Sequence, residues 1–461
     1  MKYRVTVYTL TPLHIGTGDV LLRNYDFATG ADRTYVLDQD AVLAREYEHT
    51  GKVPEKPAGQ LIISDELQDD APFVRYSLAG TTTVDEIREQ IKDVRGQCYL
   101  PGSSLKGALR TVVMAHAVRA QAFQPELSRL GNDKSWAARD WERAALGRDE
   151  THDLLRALQV ADSEPLPRSP SPLRLAHAQV FTGGEPSAPI WVEAIRAETP
   201  FTTHIKVDES LILGDYANRL GWADRAGWLT QLPALAQRLA REHISHERDI
   251  AREKDLGDAE KFYDQLLNLK LGDNQFLLHL SWGAGWNAKT VGDLLSEEVM
   301  WEVRRRYALG QPPTARGRWE PKREQAFPRS RRLLVKRGNN AEAEPGVPLG
   351  WVRIAVEPMS EASKEWSALA DKTLSELKPE LDAPLPVRST LISITPARPA
   401  PQPGAPPARP APPAAPVNNL DFEPSDEAKK IKALLEKRAA EREAEEERKR
   451  QAREEKKKKR R

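Results

Sequence analysis

Apolar and polar residues alternate with period two from the start of the chain. In KYRVTVYTL, Tyr3, Val5 and Val7 fall on one face, which predicts a strand ending near Pro12. The period then changes. Across residues 104–122, Leu105, Leu109, Val112, Val113 and His116 recur at helical spacing and predict one amphipathic helix. DLLRALQVADSE reads as a helix or turn leading into a short strand that ends near Asp162. PLRLAHAQVFTG reads as a strand closed by a Gly-Gly turn, and APIWVEAIRAETPFTTHIKVD as two strands joined near Thr199-Pro200. The long stretch from Trp228 to Asn268 is mostly helical in pattern, NQFLLHLSWGAGW is a strand running into a glycine loop, and PLGWVRIAVEP is a late strand. Strands interleaved with helices, several of them in hairpin order, give an α+β fold. Two β-α-β-β-α-β units would fit its length.

Composition separates the end of the chain from its body. From Pro396 to Pro416, 10 of 21 positions are proline, which predicts a semi-rigid spacer without a core. The stretch from Ser425 to Arg461 is almost wholly Ala, Glu, Lys and Arg, closes on KKKKRR, and reads as a solvated helix or a disordered tail. The expected divisions are 1–215, 216–270 (helical), 271–394, 395–420 (proline-rich) and 421–461 (charged).

Charge and cysteine narrow the chemistry only slightly. Sixty-nine Lys and Arg against 68 Asp and Glu leave a net charge of +1, a balance that can still hide a local basic groove. The single cysteine, Cys98, allows no intrachain disulfide and no Cys-rich zinc site, and it reads as a small buried residue on a strand. No apolar run approaches the roughly 20 residues that span a bilayer, so a soluble, cytoplasmic protein without membrane contact is expected.

Four stretches could carry chemistry. In CYLPGSSLKGALR, Ser103 or Ser104 stands where a helix N-cap belongs, Lys106 adds a charge and Arg110 follows one turn later, a pattern suited to holding a phosphate. The Gly, Lys and hydroxyl order of a nucleotide P-loop is absent. In TLTPLHIGTGD, Gly16 and Gly18 predict a flexible loop carrying His14, which could lie against phosphate or ribose, or act as a general base. In LSWGAGWNAKT, Trp282 and Trp286 flank Gly283 and Gly285, with Lys289 behind: rings to stack on bases, exposed backbone, and a charge. Residues 304–338, with Arg331 and Arg332, are densely basic and broken by Pro and Gly, and predict a loop or lid facing a polyanion. His243 and His246 have the wrong order and spacing for a helical zinc protease. Nothing in the sequence makes Asp162, Glu164 and Glu193 converge. No metal site and no cofactor is expected.

LTPLHIGTGD followed by YLPGSSLKGALR, and later by SWGAGWNAKT, resembles the RAMP superfamily of CRISPR-associated proteins. With VADSEP, IWVEAIRAETPF, FPRSRRLL and PLGWVRI, the order over residues 1–356 is most similar to the fifth-subunit family of type III-A, or Csm, effector complexes. The resemblance implies RAMP-type modified ferredoxin-like (RNA-recognition-motif) domains with helical insertions. It implies a non-catalytic subunit that caps the backbone of the complex on the 3′ side of the CRISPR RNA (crRNA) and contributes to crRNA 3′-end maturation. Its implied partners are crRNA, the other Csm subunits and host nucleases. Motif by motif, it carries RNA contact to His14, Gly16, Gly18, Ser103, Ser104, Lys106, Arg110, Gly283 and Gly285. The residues themselves add Trp282, Lys289, Arg331 and Arg332. The competing reading is a metal-independent endoribonuclease with His14 as general base. A third makes the charged tail a protein-docking arm.

Overall fold

The computed structural model describes residues 1–123, 126–182, 189–280, 282–311, 319–322, 327–337 and 343–385. They belong to one compact unit, Met1–Arg398; the remainder, Pro399–Arg461, lies outside them. The expected Gly-Gly turn at 183–184, the proline-rich spacer and the charged tail therefore fall outside the described residues.

Fourteen strands are described: β1 (Lys2–Thr9), β2 (Gly16–Leu22), β3 (Phe27–Thr29), β4 (Arg33–Leu37), β5 (Val74–Ala79), β6 (Glu86–Gln90), β7 (Leu158–Val160), β8 (Leu173–Phe181), β9 (Ile190–Ile195), β10 (Pro200–Val207), β11 (Gln275–His279), β12 (Arg331–Arg337), β13 (Ala343–Pro348) and β14 (Trp351–Pro358). The described helices are α1 (Gln39–Thr50), α2 (Gly102–Arg119), α3 (Arg139–Leu146), α4 (Glu209–Ile212), α5 (Asp215–Arg219), α6 (Leu232–Glu253), α7 (Gly257–Leu267), α8 (Glu297–Tyr307) and α9 (Lys364–Asp382). The fold is α+β, as expected.

The strands form two sheets. The first runs β11-β14-β1-β10-β7, antiparallel throughout. It takes strands from both the 1–215 and the 271–394 stretches. The second runs β2-β6-β9-β8-β5-β4-β3, with β12 added to β8 and β13 to β12. The chain passes from one sheet to the other between β1 and β2 and between β9 and β10, and these two crossings are stitched together where Leu13 bridges Ile195.

The period-two pattern of β1 buries Val5 and Val7 against Phe201 and Ile205 of β10, Val352 and Ile354 of β14, and the Leu105, Leu109 and Val112 face of α2. These side chains leave water together, and burying each contributes about 1.5–3 kcal/mol. Helix α6 covers β11, the edge of the first sheet, through Leu235, Ala236 and Ile244. Cys98 is buried and paired in a bridge with Lys92, and burial pushes its thiol up to about 12.

Three local expectations are corrected. The predicted flexible loop at Gly16 and Gly18 is the start of strand β2, which bulges between Gly16 and Val20; Gly18 takes a φ of +103° there, a conformation that favours glycine. β1 ends at Thr9, before Pro12; beyond it the Leu10 and Thr11 N–H groups both turn to the one Trp351 carbonyl, which breaks the regular ladder. The basic stretch 304–338 is not one loop. Arg304–Arg306 close α8, where cations suit the helix C-terminus, and Arg331–Arg337 form a strand on β8. Phe327 turns inward, with Trp286 edge-on at 5.1 Å and Arg304 over its ring at 5.1 Å. Residues 312–318 and 323–326 of the stretch lie outside the described residues.

Candidate nucleic-acid interface

The two sheets meet where His14, Trp282, Arg88 and Arg332 come together. His14 follows β1, Trp282 follows β11, Arg88 stands outward on β6, and Arg332 lies on β12. Trp282 N–H donates to the His14 carbonyl at 3.1 Å, which ties the glycine stretch to the sheet crossing. Arg332 donates to the Trp282 carbonyl at 3.2 Å and lies 4.7 Å from the centre of its ring, and Arg88 lies 5.4 Å from the same centre. The His14 ring meets Trp282 edge-on at 6.0 Å. An indole with two guanidiniums on it holds both in place by cation–π attraction, which uses none of their N–H donors; one donor of Arg332 is taken by the Trp282 carbonyl.

The electrostatics of this cluster are one-sided. Among the described residues, Arg88, Lys289 and Arg332 form no ion pair. Partial desolvation and the Arg88 charge both lower the pKa of Arg332, and partial desolvation and Arg332 lower that of Lys289. Like charges held together without a carboxylate repel, and a bound anion removes that repulsion.

His14 itself is buried, and its Nδ1–H donates to the Glu193 carbonyl at 2.6 Å. That carbonyl can only accept, so the proton sits on Nδ1. Burial lowers its pKa to about 4, against the hydrogen bond to Glu193, with Arg88 and Lys92 adding to the fall. The ring is therefore neutral at pH 7. Behind it, the fully buried Glu193 carboxylate takes Lys92 Nζ at 2.5 Å, the Tyr76 hydroxyl at 2.7 Å and Gln90 N–H at 2.9 Å. Glu193 is thus a structural anchor for β6 and the turn after it. Gly283 has no room for a side chain: a Cβ would lie 2.9 Å from Leu349 Cβ. Gly285, at φ +78°, faces open space.

The start of α2 is built differently from the expectation. The N-cap is Pro101, without a side-chain cap, and Ser103 and Ser104 lie inside the first turn. Pro supplies an extended backbone and loses no hydrogen bond there. The free Gly102 N–H donates to Asp162 Oδ1 at 2.7 Å, so one carboxylate of the chain already occupies part of the anion seat. Ser103 is exposed, and Ser104 and Lys106 are half-buried. Desolvation lowers the Lys106 pKa, with Arg110 adding to it and Asp153 opposing it. Arg110 is clamped between Glu142 at 3.1 Å and Asp153 at 3.0 Å, and holds α3 and the turn beyond it to α2. Arg331 is likewise spent inside, in a two-pronged pair with Glu247 of α6 at 2.5 and 3.0 Å.

The structure therefore gathers His14, Trp282, Gly283, Lys289 and Arg332, sets Ser103, Ser104 and Lys106 on α2, and commits Arg110 and Arg331 to internal ion pairs. Helix α2 packs against the turn Asn287–Lys289, which brings it beside the cluster. Sequence reasoning missed Arg88. Its only signal was an outward position in the alternating string EIREQ. Asp162, Glu164 and Glu193 do not share a site. Among the described residues, no three His, Cys, Asp or Glu side chains are grouped to hold a metal ion, and no helix is long and apolar enough to cross a membrane.

Comparison with known proteins agrees with this architecture. The RAMP superfamily profile matches residues 6–288. CRISPR system Cms protein Csm5 of Streptococcus thermophilus is 26% identical over 194 residues, 35% of this chain and 52% of the relative. The protein of the same name from Mycobacterium tuberculosis (strain CDC 1551 / Oshkosh) is 29% identical over 168 residues, 33% of this chain and 43% of the relative. The chain thus spans about half the length of the curated relatives it matches. A chain in the cryo-EM structure of a Csm–crRNA–target RNA ternary complex of a type III-A CRISPR-Cas system superposes with a TM-score of 0.56 at 26% identity, covering 77% of this chain and all of that one. The profile covers well over half of the sequence, and the fold follows it: the chain belongs to the RAMP superfamily.

Proposed function

We propose that this chain is a Csm5-like subunit of a type III-A effector complex that binds crRNA and holds it without cutting it. The observation that carries the reading is the convergence of Arg88 and Arg332 on Trp282, with Lys289 within electrostatic reach of Arg332 and, among the described residues, no ion pair to neutralise the three. Guanidiniums fixed on an indole neutralise phosphates and read no base, which suits a subunit that must accept any spacer sequence. The names of the relatives and the crRNA-bound complex support the choice of ligand. With it go the finer roles of capping the backbone on the 3′ side of crRNA and contributing to 3′-end maturation, with the other Csm subunits and host nucleases as partners. Holding is favoured over cleavage because His14 is buried, bonded through Nδ1 and tuned to about 4, a poor match for a general base working at pH 7.

The test is one experiment on the full chain with labelled repeat-spacer RNA in EDTA, run on native and denaturing gels. The expected result is shifted, intact RNA. Two phosphate contacts on a single strand set a salt slope of about 1.4, so Arg88→Ala with Arg332→Ala weakens binding roughly 14-fold at 0.15 M salt. Discrete cleavage that disappears in His14→Ala overturns the reading in favour of a nuclease.

A further inference from the structure

A second group of arginines lies on the far side of the Glu193 anchor. Arg75 of β5, Arg95 of the turn Asp93–Gln97 and Arg168 of the segment Leu166–Leu173 line a groove of about 410 Å³. All three side chains are exposed, and among the described residues none of them forms an ion pair. Among the described residues the one carboxylate in the lining is that of Asp38, whose Oδ1 caps α1 by accepting from Ala41 N–H.

The groove is held in shape by bonds that leave the guanidiniums out. Asp93 Oδ1 accepts from Arg95 N–H at 2.9 Å and Gln97 N–H at 2.8 Å, which folds the turn. Gln97 Nε2 donates to the Leu166 carbonyl at 3.0 Å and Leu166 N–H to the Cys98 carbonyl at 2.8 Å, which lock the turn to the opposite wall. Gly96 sits at φ +72°, and a Cβ there would come within 3.2 Å of Arg168 Nη2, so the absence of a side chain lets the Arg168 guanidinium lie over the turn. Three guanidinium forks without an ion-pair partner among the described residues outnumber the single Asp38 carboxylate and suit phosphate oxygens, which guanidinium binds in two-pronged fashion.

The groove and the Trp282 cluster belong to one continuous piece of structure. From Arg88 on β6 the chain reaches Arg95 seven residues later, a separation of at most about 25 Å. Between them, Lys92 lies over the Tyr76 ring at 4.8 Å and pairs with Glu193, whose carbonyl takes His14. We propose that the Arg75–Arg95–Arg168 groove is a second phosphate-backbone site, which takes the RNA strand onward from the Trp282 cluster. The inference rests on the RNA-binding reading above.

Arg75→Ala/Arg95→Ala/Arg168→Ala in the full chain tests it, with Arg88→Ala/Arg332→Ala in parallel. Binding of a labelled 40-nucleotide single-stranded RNA is measured by fluorescence anisotropy across a salt series. Three lost contacts lower the salt slope by about 2 and weaken binding roughly 50-fold at 0.15 M salt. Replacing the same three residues by Lys restores most of the slope, and thermal melting of each variant checks the fold. Wild-type affinity and slope in the triple variant, with a loss only in Arg88→Ala/Arg332→Ala, overturn the groove and leave the Trp282 site standing. A wild-type chain that binds no RNA overturns both. If inorganic phosphate raises the melting temperature of the wild type alone while RNA affinity is unchanged in the triple variant, the groove is a free-anion site and the inference fails.

Discussion

Glu247 and Arg331 bolt α6 to β12, the strand that carries Arg332 to Trp282. Glu247→Gln removes the charge and keeps the shape. In the folded chain burial pushes the Glu247 pKa up, but Arg331, through charge and paired hydrogen bonds, with His243 and His246, more than offsets it and holds it at about 2. Against an unfolded carboxyl near 4.5, this corresponds to about 3 kcal/mol at pH 7. It agrees with the roughly 3–5 kcal/mol expected when one partner of a buried pair is removed. The sign is that of a depressed carboxylate. The stabilisation is complete above about pH 4.5 and is lost as pH falls through about 2, so less than half remains by pH 3. Urea unfolding of wild type and Glu247→Gln at several pH values measures it. The expected difference is about 3 kcal/mol at pH 7, shrinking below pH 4.5. A difference under 1 kcal/mol at pH 7, or one that does not change down to pH 3, refutes the reasoning. Replacing both partners, Glu247→Leu with Arg331→Met, is expected to recover most of the loss, because no unpaired charge is left buried.

Two further outcomes follow from the local geometry. Gly102→Ala places a Cβ 2.4 Å from the Val160 carbonyl and 2.7 Å from Ala161, so α2 must lift from β7; a loss of about 1–3 kcal/mol is expected in chemical unfolding, and an unchanged midpoint contradicts the tight approach. Cys98, buried with its thiol raised to about 12, is expected to resist iodoacetamide at pH 8 in the native chain and to react in denaturant; rapid native alkylation measured by mass spectrometry contradicts the burial.

The periodic elements were legible because their burial repeats locally. The alternation of β1, the Leu105–Leu109–Val112 stripe of α2, the long helices α6 and α7, and strands β11 and β14 all stand where the pattern put them. β2 was not legible: two glycines and few buried side chains give it no period, and only pairing with β6 makes it a strand. β12 was hidden in the same way, since its basic residues look like a loop until β8 supplies the hydrogen bonds. The motifs of the RAMP superfamily were visible as strings, and with them the expectation of a phosphate ligand. The fate of each cation was not. Arg110, Arg331 and Arg332 are chemically equivalent in sequence, yet two face carboxylates that arrive from 32 to 84 residues away and one faces an indole. Charge type and local period are properties of the chain itself. Which charges remain free for a ligand depends on partners brought in by chain crossings between two sheets, and only the tertiary structure fixes those.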